Sequence, residues 1–496
     1  MTATAAEKVA RGAAWMVGLR MTDRLVGLAS TLILARVLTP ADFGLVAMAM
    51  AVIGLIELAS AFGFEVPLLR AAQPTRAEYD TVWTLNVMFG VGCASATALA
   101  AVPAAHFYAE ERLIPVFLAL AFGWAVSSFA NVGTVDFRRN LDFAREFRLL
   151  MANRVVTFSV TIPSALLFRS YWALIAGIVA GRIASVAFSY LWHPYRPRFS
   201  LRESRQLFSF SLWIFVEKIA SFGNARLPDF VLGRTHGPAA VGVYRVAEEI
   251  GYLPGSELVA PINRVFLPGV SRLVEGGRTM GEVVAIATGV VALILFPACL
   301  GIAAVADPLV RTMLGNQWLG AIPIVEIMAV NAMLVALWSN QQTSLLAAGL
   351  PKLPGLVALA RLAVFAPSVF LLTPAYGSWG VAVSVLISST FSFLIGLQVS
   401  LRKLAMTLGQ YLGATWRPLL ASSIMYGVLR HTVVATGSTQ SSLQALGELG
   451  TAVAAGVGVY VAALAALYFG TGRPRGAEQI VLGRLQVLVR RRKASA

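Results

Sequence analysis

The chain has 496 residues, of which 57% are hydrophobic and only 13% charged, and its mean hydropathy is +0.73. A soluble domain carries roughly a quarter charged residues, so a soluble protein is excluded. The net charge is +16, but the basic residues are scattered over many short loops rather than gathered on one aromatic-studded face, which argues against nucleic-acid binding.

From residue 15 to residue 470 the sequence returns repeatedly to apolar runs of about 18 to 25 residues, the length a helix needs to cross ~30 Å of hydrocarbon. The runs are continuously apolar rather than alternating, which excludes a membrane barrel. They predict helices over 13–36, 44–69, 82–106, 113–136, 147–168 and 171–193. A second series covers 207–233, 240–268, 282–304, 318–348, 353–372 and 378–400, and two more follow at 410–431 and 446–469. The expectation is thus an all-α polytopic membrane protein of about 14 spans. The long runs 240–268 and 318–348 read as single tilted or proline-interrupted helices.

The first run is not a cleavable signal, because Arg20, Asp23 and Arg24 break its apolar stretch. Cys93 and Cys299 fall inside apolar runs and read as packing residues. The four histidines lie in separate loops, so no metal site is expected, and no cofactor motif is present.

Charge tests the span count. With a cytoplasmic N-terminus, the inside segments and tail hold 24 basic residues and the outside segments six, Arg36, Arg112, Arg169, Arg234, Arg311 and Arg430. That asymmetry is what the positive-inside rule predicts for fourteen spans with both termini in the cytoplasm. The tail from Arg473 combines an apolar series (Ile480, Leu482, Leu485, Leu488) with Arg490 to Lys493, and reads either as a surface helix on the anionic inner leaflet or as a disordered basic tail.

A shift of 198 residues lays Trp15 on Trp213, Arg20 on Lys218, Arg36 on Arg234, Pro40 on Pro238 and Gly44 on Gly242. In both copies a charged span is followed by Arg, a turn with Pro, and a Gly at the start of the next helix. Six spans separate the copies, so the repeat is of the parallel kind. It predicts two six-helix lobes, 1–200 and 201–400, around a central cavity, with 401–496 adding two spans and the basic tail.

Charged residues inside the spans concentrate in the two helix pairs that the repeat matches. Arg20, Asp23 and Arg24 form one stripe in span 1; Glu57 lies in span 2; Glu217, Lys218, Arg226 and Asp229 lie in span 7; Arg245, Glu248 and Glu249, continued by Glu257 and Arg264, form a stripe in span 8. An ionised residue near a helix centre costs about 2.5 to 3.5 kcal/mol on insertion scales, so these must face protein or water. Pairing, Arg20 with Asp23 and Arg226 with Asp229, is one reading. A water-filled cavity is the other, and the planar guanidinium suits a phosphate or diphosphate, which points to an anionic substrate. Arg154 and Arg417, nearer helix ends, read as snorkelling anchors.

The segments LARVLTPADFGLVAMAMAVIGLIELASAFGFEVPLLR (34–70), PDFVLGRTHGPAAVGVYRVAEEIGYLP (228–254), PINRVFLPGVSRL (261–273) and AAGLPKLPGLVAL (347–359) resemble those of bacterial polysaccharide and O-antigen flippases. These belong to the multidrug, oligosaccharidyl-lipid and polysaccharide exporter superfamily. The resemblance implies alternating access and movement of an undecaprenyl-diphosphate-linked oligosaccharide from the cytoplasmic to the periplasmic leaflet of the inner membrane. It places substrate binding on Arg20, Arg24, Lys218 and Arg226, with Arg245 and Arg264 as further candidates, and leaves Asp23, Glu57, Glu217, Asp229, Glu248 and Glu249 as coupling or pairing carboxylates. The implied partners are the lipid-linked oligosaccharide, the bilayer and polysaccharide polymerase or export machinery.

The alternatives are a multidrug cation antiporter or a lipid II flippase of the same superfamily. A membrane glycosyltransferase or polymerase is disfavoured by the short outside segments and the lack of a paired-acid motif, and no GxxxxGK[ST] string supports ATP hydrolysis, so an enzyme is not expected.

Overall fold

The computed structural model describes residues 18, 22, 26–59, 68–69, 71, 73–140, 142–202, 212–255, 279–350, 352–435, 442–472 and 477–479. All regular structure among them is helical. Eight of the helices are long and apolar enough to cross a bilayer, and a ninth is added if the pair Leu113–Ser127 and Val132–Arg139, bent by 70°, counts as one span.

The main helices are α1 (Val26–Val37), α2 (Pro40–Ala59), α3 (Arg76–Tyr108), α4 (Leu113–Ser127), α5 (Phe143–Phe168), α6 (Trp172–Trp192) and α7 (Leu212–Gly251). They are followed by α8 (Met280–Ala304), α9 (Ile322–Ala347), α10 (Lys352–Lys403), α11 (Leu408–Ala435) and α12 (Ser442–Gly470). At about 1.5 Å per residue, α7 and α10 are too long for one crossing. Each is broken at a glycine with positive φ, Gly237 (φ 76°) and Gly377 (φ 55°), in the gaps expected between spans. Only a residue without a Cβ takes that backbone cheaply.

Local chemistry explains where helices start. In the Thr39-Pro40-Ala41-Asp42 turn, the Asp42 N–H donates to Thr39 Oγ1 (3.4 Å) and the Thr39 N–H to Asp42 Oδ2 (2.9 Å). This is a capping box with proline at the first helical position. Thr75 and Glu78 repeat the device at α3, where the Thr75 N–H donates to Glu78 Oε2 at 2.6 Å.

The chain divides into two compact units, Met1–Gly242 and Val243–Ala496. In the first unit, α5 and α6 pack through small residues. A Cβ on Gly177 would stand 1.7 Å from Thr161 Oγ1, and one on Gly181 2.4 Å from Thr157 Oγ1, so these glycines set the close approach. The first arm of α7 belongs to this unit: Gly54 of α2 faces Phe222, and Gly233 faces Tyr108 and Met48.

A polar network joins the N-terminal end of α3, the Val132–Arg139 segment and the chain that follows α6. Asp136 accepts from Tyr79, pairs with Arg139 at 3.0 Å and lies 3.4 Å from His193 Nε2. Asp80 accepts from Tyr195 and from the Arg198 N–H at 2.9 Å. The Tyr195 N–H donates to His193 Nδ1 (3.2 Å), so the neutral ring carries its proton on Nε2, toward Asp136. Burial pushes the His193 imidazole below its ordinary value and outweighs the opposing pull of Asp136.

In the second unit, α8, α9 and α10 share a core that includes Phe296, Cys299, Met333 and Leu337. Gly396 admits the ring of Trp338, and the Asn340 amide donates to Thr288 Oγ1 at 2.8 Å. The Tyr460 hydroxyl ties α12 to the Leu293 carbonyl of α8 at 2.7 Å.

Candidate substrate site

Arg20, Asp23, Arg24, Glu257 and Arg264 lie outside the described residues, as does the side chain of Glu217. The remaining candidates fall in both units.

In the first unit, Arg226 and Asp229 sit at i and i+3 on α7, with Nη1 3.5 Å from Oδ2. Asp229 is wholly buried, whereas the Arg226 side chain keeps 34% exposure. A guanidinium has five N–H donors, and one carboxylate contact leaves most of them for a second anion. Lys218, two turns earlier, is half-buried and already has a partner. Glu57 of α2 is exposed and acts electrostatically on Arg182 of α6. Arg182 itself lies 6.0 Å from the centre of the Trp124 ring and donates to the Leu120 carbonyl at 3.1 Å. Arg154 is half-buried, and its Nη2 lies 2.8 Å from the position of a Cβ on Gly27, so it leans against α1 rather than reaching out to water as a simple anchor would.

In the second unit, Arg245 and Glu248 form a tight i, i+3 pair at 2.6 Å, with side chains 20% and 26% exposed. Tyr244 supports it: its hydroxyl donates to Glu248 Oε1 (3.3 Å), and the Arg245 guanidinium lies 5.7 Å from its ring centre. Glu249 is half-buried and has a partner. One turn beyond Glu248, the Tyr252 hydroxyl meets the Asn331 amide of α9 and Arg361 of α10. Asn331 is fully buried, and the Arg361 Nε lacks a hydrogen-bond partner among the described residues.

Arg226 and Arg245 each have a carboxylate neighbour, and neither side chain is fully covered. Tyr252, Asn331 and Arg361 extend the polar stripe across three helices. Arg361 stands out in sequence as a cation in an apolar run; its neighbours carry no such signal, because only tertiary packing brings them together.

Residues 33–323, more than half of the chain, match the model of a family described as polysaccharide biosynthesis protein. The chain belongs to that family. Its match begins one residue before the Leu34 string and runs through the capped Thr39–Asp42 turn, the Gly237 break and both ion-paired stripes. Relatives extend well beyond it. The lipopolysaccharide biosynthesis protein WzxC of Escherichia coli is 23% identical over 425 residues, 84% of this chain and 86% of that protein. The teichuronic acid biosynthesis protein TuaB of Bacillus subtilis is 24% identical over 411 residues, 82% and 84%. The succinoglycan biosynthesis transport protein ExoT of Rhizobium meliloti is 23% identical over 66% of each chain.

Solved structures show the fold of this family member. The lipid II flippase MurJ in an inward closed conformation superposes with a TM-score of 0.72 at 14% identity, covering 91% of this chain and 98% of MurJ. An inward-facing multidrug transporter of the MATE family gives 0.59 at 14% identity, covering 78% and 98%.

Proposed function

We propose that the chain is a flippase that moves an undecaprenyl-diphosphate-linked oligosaccharide repeat unit from the cytoplasmic to the periplasmic leaflet of the inner membrane. Support comes from relatives whose names place them in lipopolysaccharide, teichuronic acid and succinoglycan biosynthesis, the last as a transport protein. The observation that carries the reading is Arg226, a guanidinium in an apolar helix that keeps a third of its surface open although a buried carboxylate already pairs it. Such a group holds charge inside the membrane and still offers donors to a phosphate.

In this reading the lobes 1–200 and 201–400 alternately open a basic cavity to each side, fourteen spans place both termini in the cytoplasm, and the chain acts as a transporter rather than an enzyme. Arg20, Arg24, Lys218 and Arg226 hold the diphosphate while the lipid tail stays in the bilayer. Arg245 and Arg264 are secondary contacts. Direction requires the ligand to bind the two states unequally, or a gradient to supply the difference. A polysaccharide polymerase would receive the product.

Deleting the gene and measuring lipid-linked sugars by mass spectrometry tests the reading. Accumulation of a diphosphate-linked oligosaccharide with loss of surface polysaccharide supports it. Normal surface polysaccharide with altered drug efflux would support the multidrug alternative instead.

A further inference from the structure

Beyond α12, residues Ala477, Glu478 and Gln479 form a helical turn whose first two residues are buried while Gln479 is exposed. Ala477 is 3% and Glu478 6% exposed. A Cβ on Gly289 of α8 would stand 3.0 Å from the Ala477 Cβ and 3.3 Å from the Ala414 carbonyl oxygen of α11. The turn thus occupies the place where α8 and α11 meet, at a point where α8 presents no side chain.

Glu478 then reaches across to α11. Its Oε1 lies 2.9 Å from Arg417 Nη1, and both side chains are 6% exposed. The guanidinium is held from its own helix: Nη2 donates to the Gly413 carbonyl at 3.2 Å, and the Trp416 ring centre is 5.8 Å away. Sequence reading makes Arg417 a snorkelling anchor, but a snorkelling arginine ends in water and this one is covered.

A covered guanidinium needs a countercharge, because desolvation of an isolated cation is strongly unfavourable. Helix α11 contains no acidic residue, and α8 carries only Glu282, two turns from Gly289. The countercharge therefore comes from the C-terminal segment. The contact is close in distance, yet neither Arg417 Nη1 nor Glu478 Oε1 makes an aligned hydrogen bond, so attraction between charges holds it rather than a fixed fork-to-fork geometry.

We propose that Arg417 and Glu478 form a releasable clasp: the C-terminal segment locks α11 onto α8 by neutralising a cation that α11 cannot neutralise itself. Removing either charge frees the segment and opens the seam at Gly289. The inference does not depend on what the protein transports.

Cysteine accessibility tests it in full-length protein in native membranes. Cys93→Ala and Cys299→Ala remove the native thiols, and Ala477→Cys supplies a reporter for a hydrophilic maleimide added from the cytoplasmic side. The clasp requires labelling at least tenfold slower than in the detergent-unfolded protein. Glu478→Gln should bring the rate close to the unfolded value. Arg417→Glu alone should also expose the reporter, and the exchange Arg417→Glu with Glu478→Arg should restore protection. Labelling at the unfolded rate with both native charges in place, or protection unchanged by Glu478→Gln, overturns the proposal. If the Arg417 variants fail to fold, the Glu478→Gln comparison decides alone.

Discussion

Gly44 and Gly242 meet reciprocally: a Cβ on Gly44 would stand 1.7 Å from the Pro238 carbonyl oxygen, and one on Gly242 would stand 1.8 Å from that of Pro40. The backbones also approach, with the Gly242 N–H nitrogen 2.9 Å from the Gly44 Cβ position and the Gly44 nitrogen 3.0 Å from that of Gly242. These two glycines and two prolines are equivalent in the 198-residue repeat, so each copy of the turn seats its proline carbonyl against the glycine of the other.

Gly44→Ala or Gly242→Ala therefore places a methyl group on a backbone carbonyl, which cannot swing aside as the end of a flexible side chain could. Overpacking of this kind costs about 1 to 3 kcal/mol. Each variant should unfold at a lower temperature in a thermal-shift assay and should export less polysaccharide. Wild-type melting and export in both variants would mean that the crossing is not maintained in the membrane.

The Arg226 and Asp229 pair separates a structural from a binding role. Arg226→Ala removes one guanidinium partner of a wholly buried carboxylate, and loss of a hydrogen-bonding partner to a charged buried group costs about 1 to 3 kcal/mol. Adding Asp229→Asn should recover much of that loss in a thermal unfolding experiment. Export should stay impaired in the double variant, because the open donors of Arg226 are still missing. Recovery of export together with stability would reduce Arg226 to a helix-pinning residue.

Much of this was legible in the sequence, for identifiable reasons. The breaks at Gly237 and Gly377 fall where span length and punctuation place them, because a 40-residue or 52-residue helix cannot cross a bilayer once. The fixed offset of Pro40 and Gly44 from Pro238 and Gly242 foreshadows their reciprocal contact. The contact of Arg226 with Asp229 follows from i, i+3 spacing, and the same spacing in the span 8 stripe brings Arg245 to Glu248. What was not legible depends on tertiary neighbours: Asn331 and Tyr252 gathering at Arg361, and Glu478 folding back on Arg417, join residues with no local pattern in common.

Arg361→Gln tests the extended stripe in the second unit. The Arg361 Nε has no hydrogen-bond partner among the described residues, and the guanidinium's contact with the Tyr252 hydroxyl is one that a glutamine amide can also make. The variant should melt within about 1 kcal/mol of wild type, the scale of an ordinary hydrogen-bond change. Export should fall several-fold. Unchanged export would remove Arg361 from the site.

His193 makes the network of the first unit sensitive to acid. Its folded pKa is depressed, so the folded protein binds fewer protons than the unfolded chain just below the ordinary imidazole value. Stability contributed by the neutral ring is present above that value and is lost as pH falls through the folded pKa. Asp136 opposes the effect, and Arg145 and Arg196 reinforce it. His193→Gln should flatten the fall in melting temperature between about pH 6.5 and pH 5, the range over which an ordinary imidazole becomes charged. A slope identical to wild type would remove His193 as its source.

The most direct test of a diphosphate held by intramembrane guanidinium groups is export by the double variant Arg20→Ala and Arg24→Ala in a strain lacking the native gene, with lipid-linked oligosaccharide quantified alongside. The account predicts protein present in the membrane at wild-type amount, lipid-linked repeat units accumulating, and surface polysaccharide lost. Wild-type surface polysaccharide with no accumulation would contradict it.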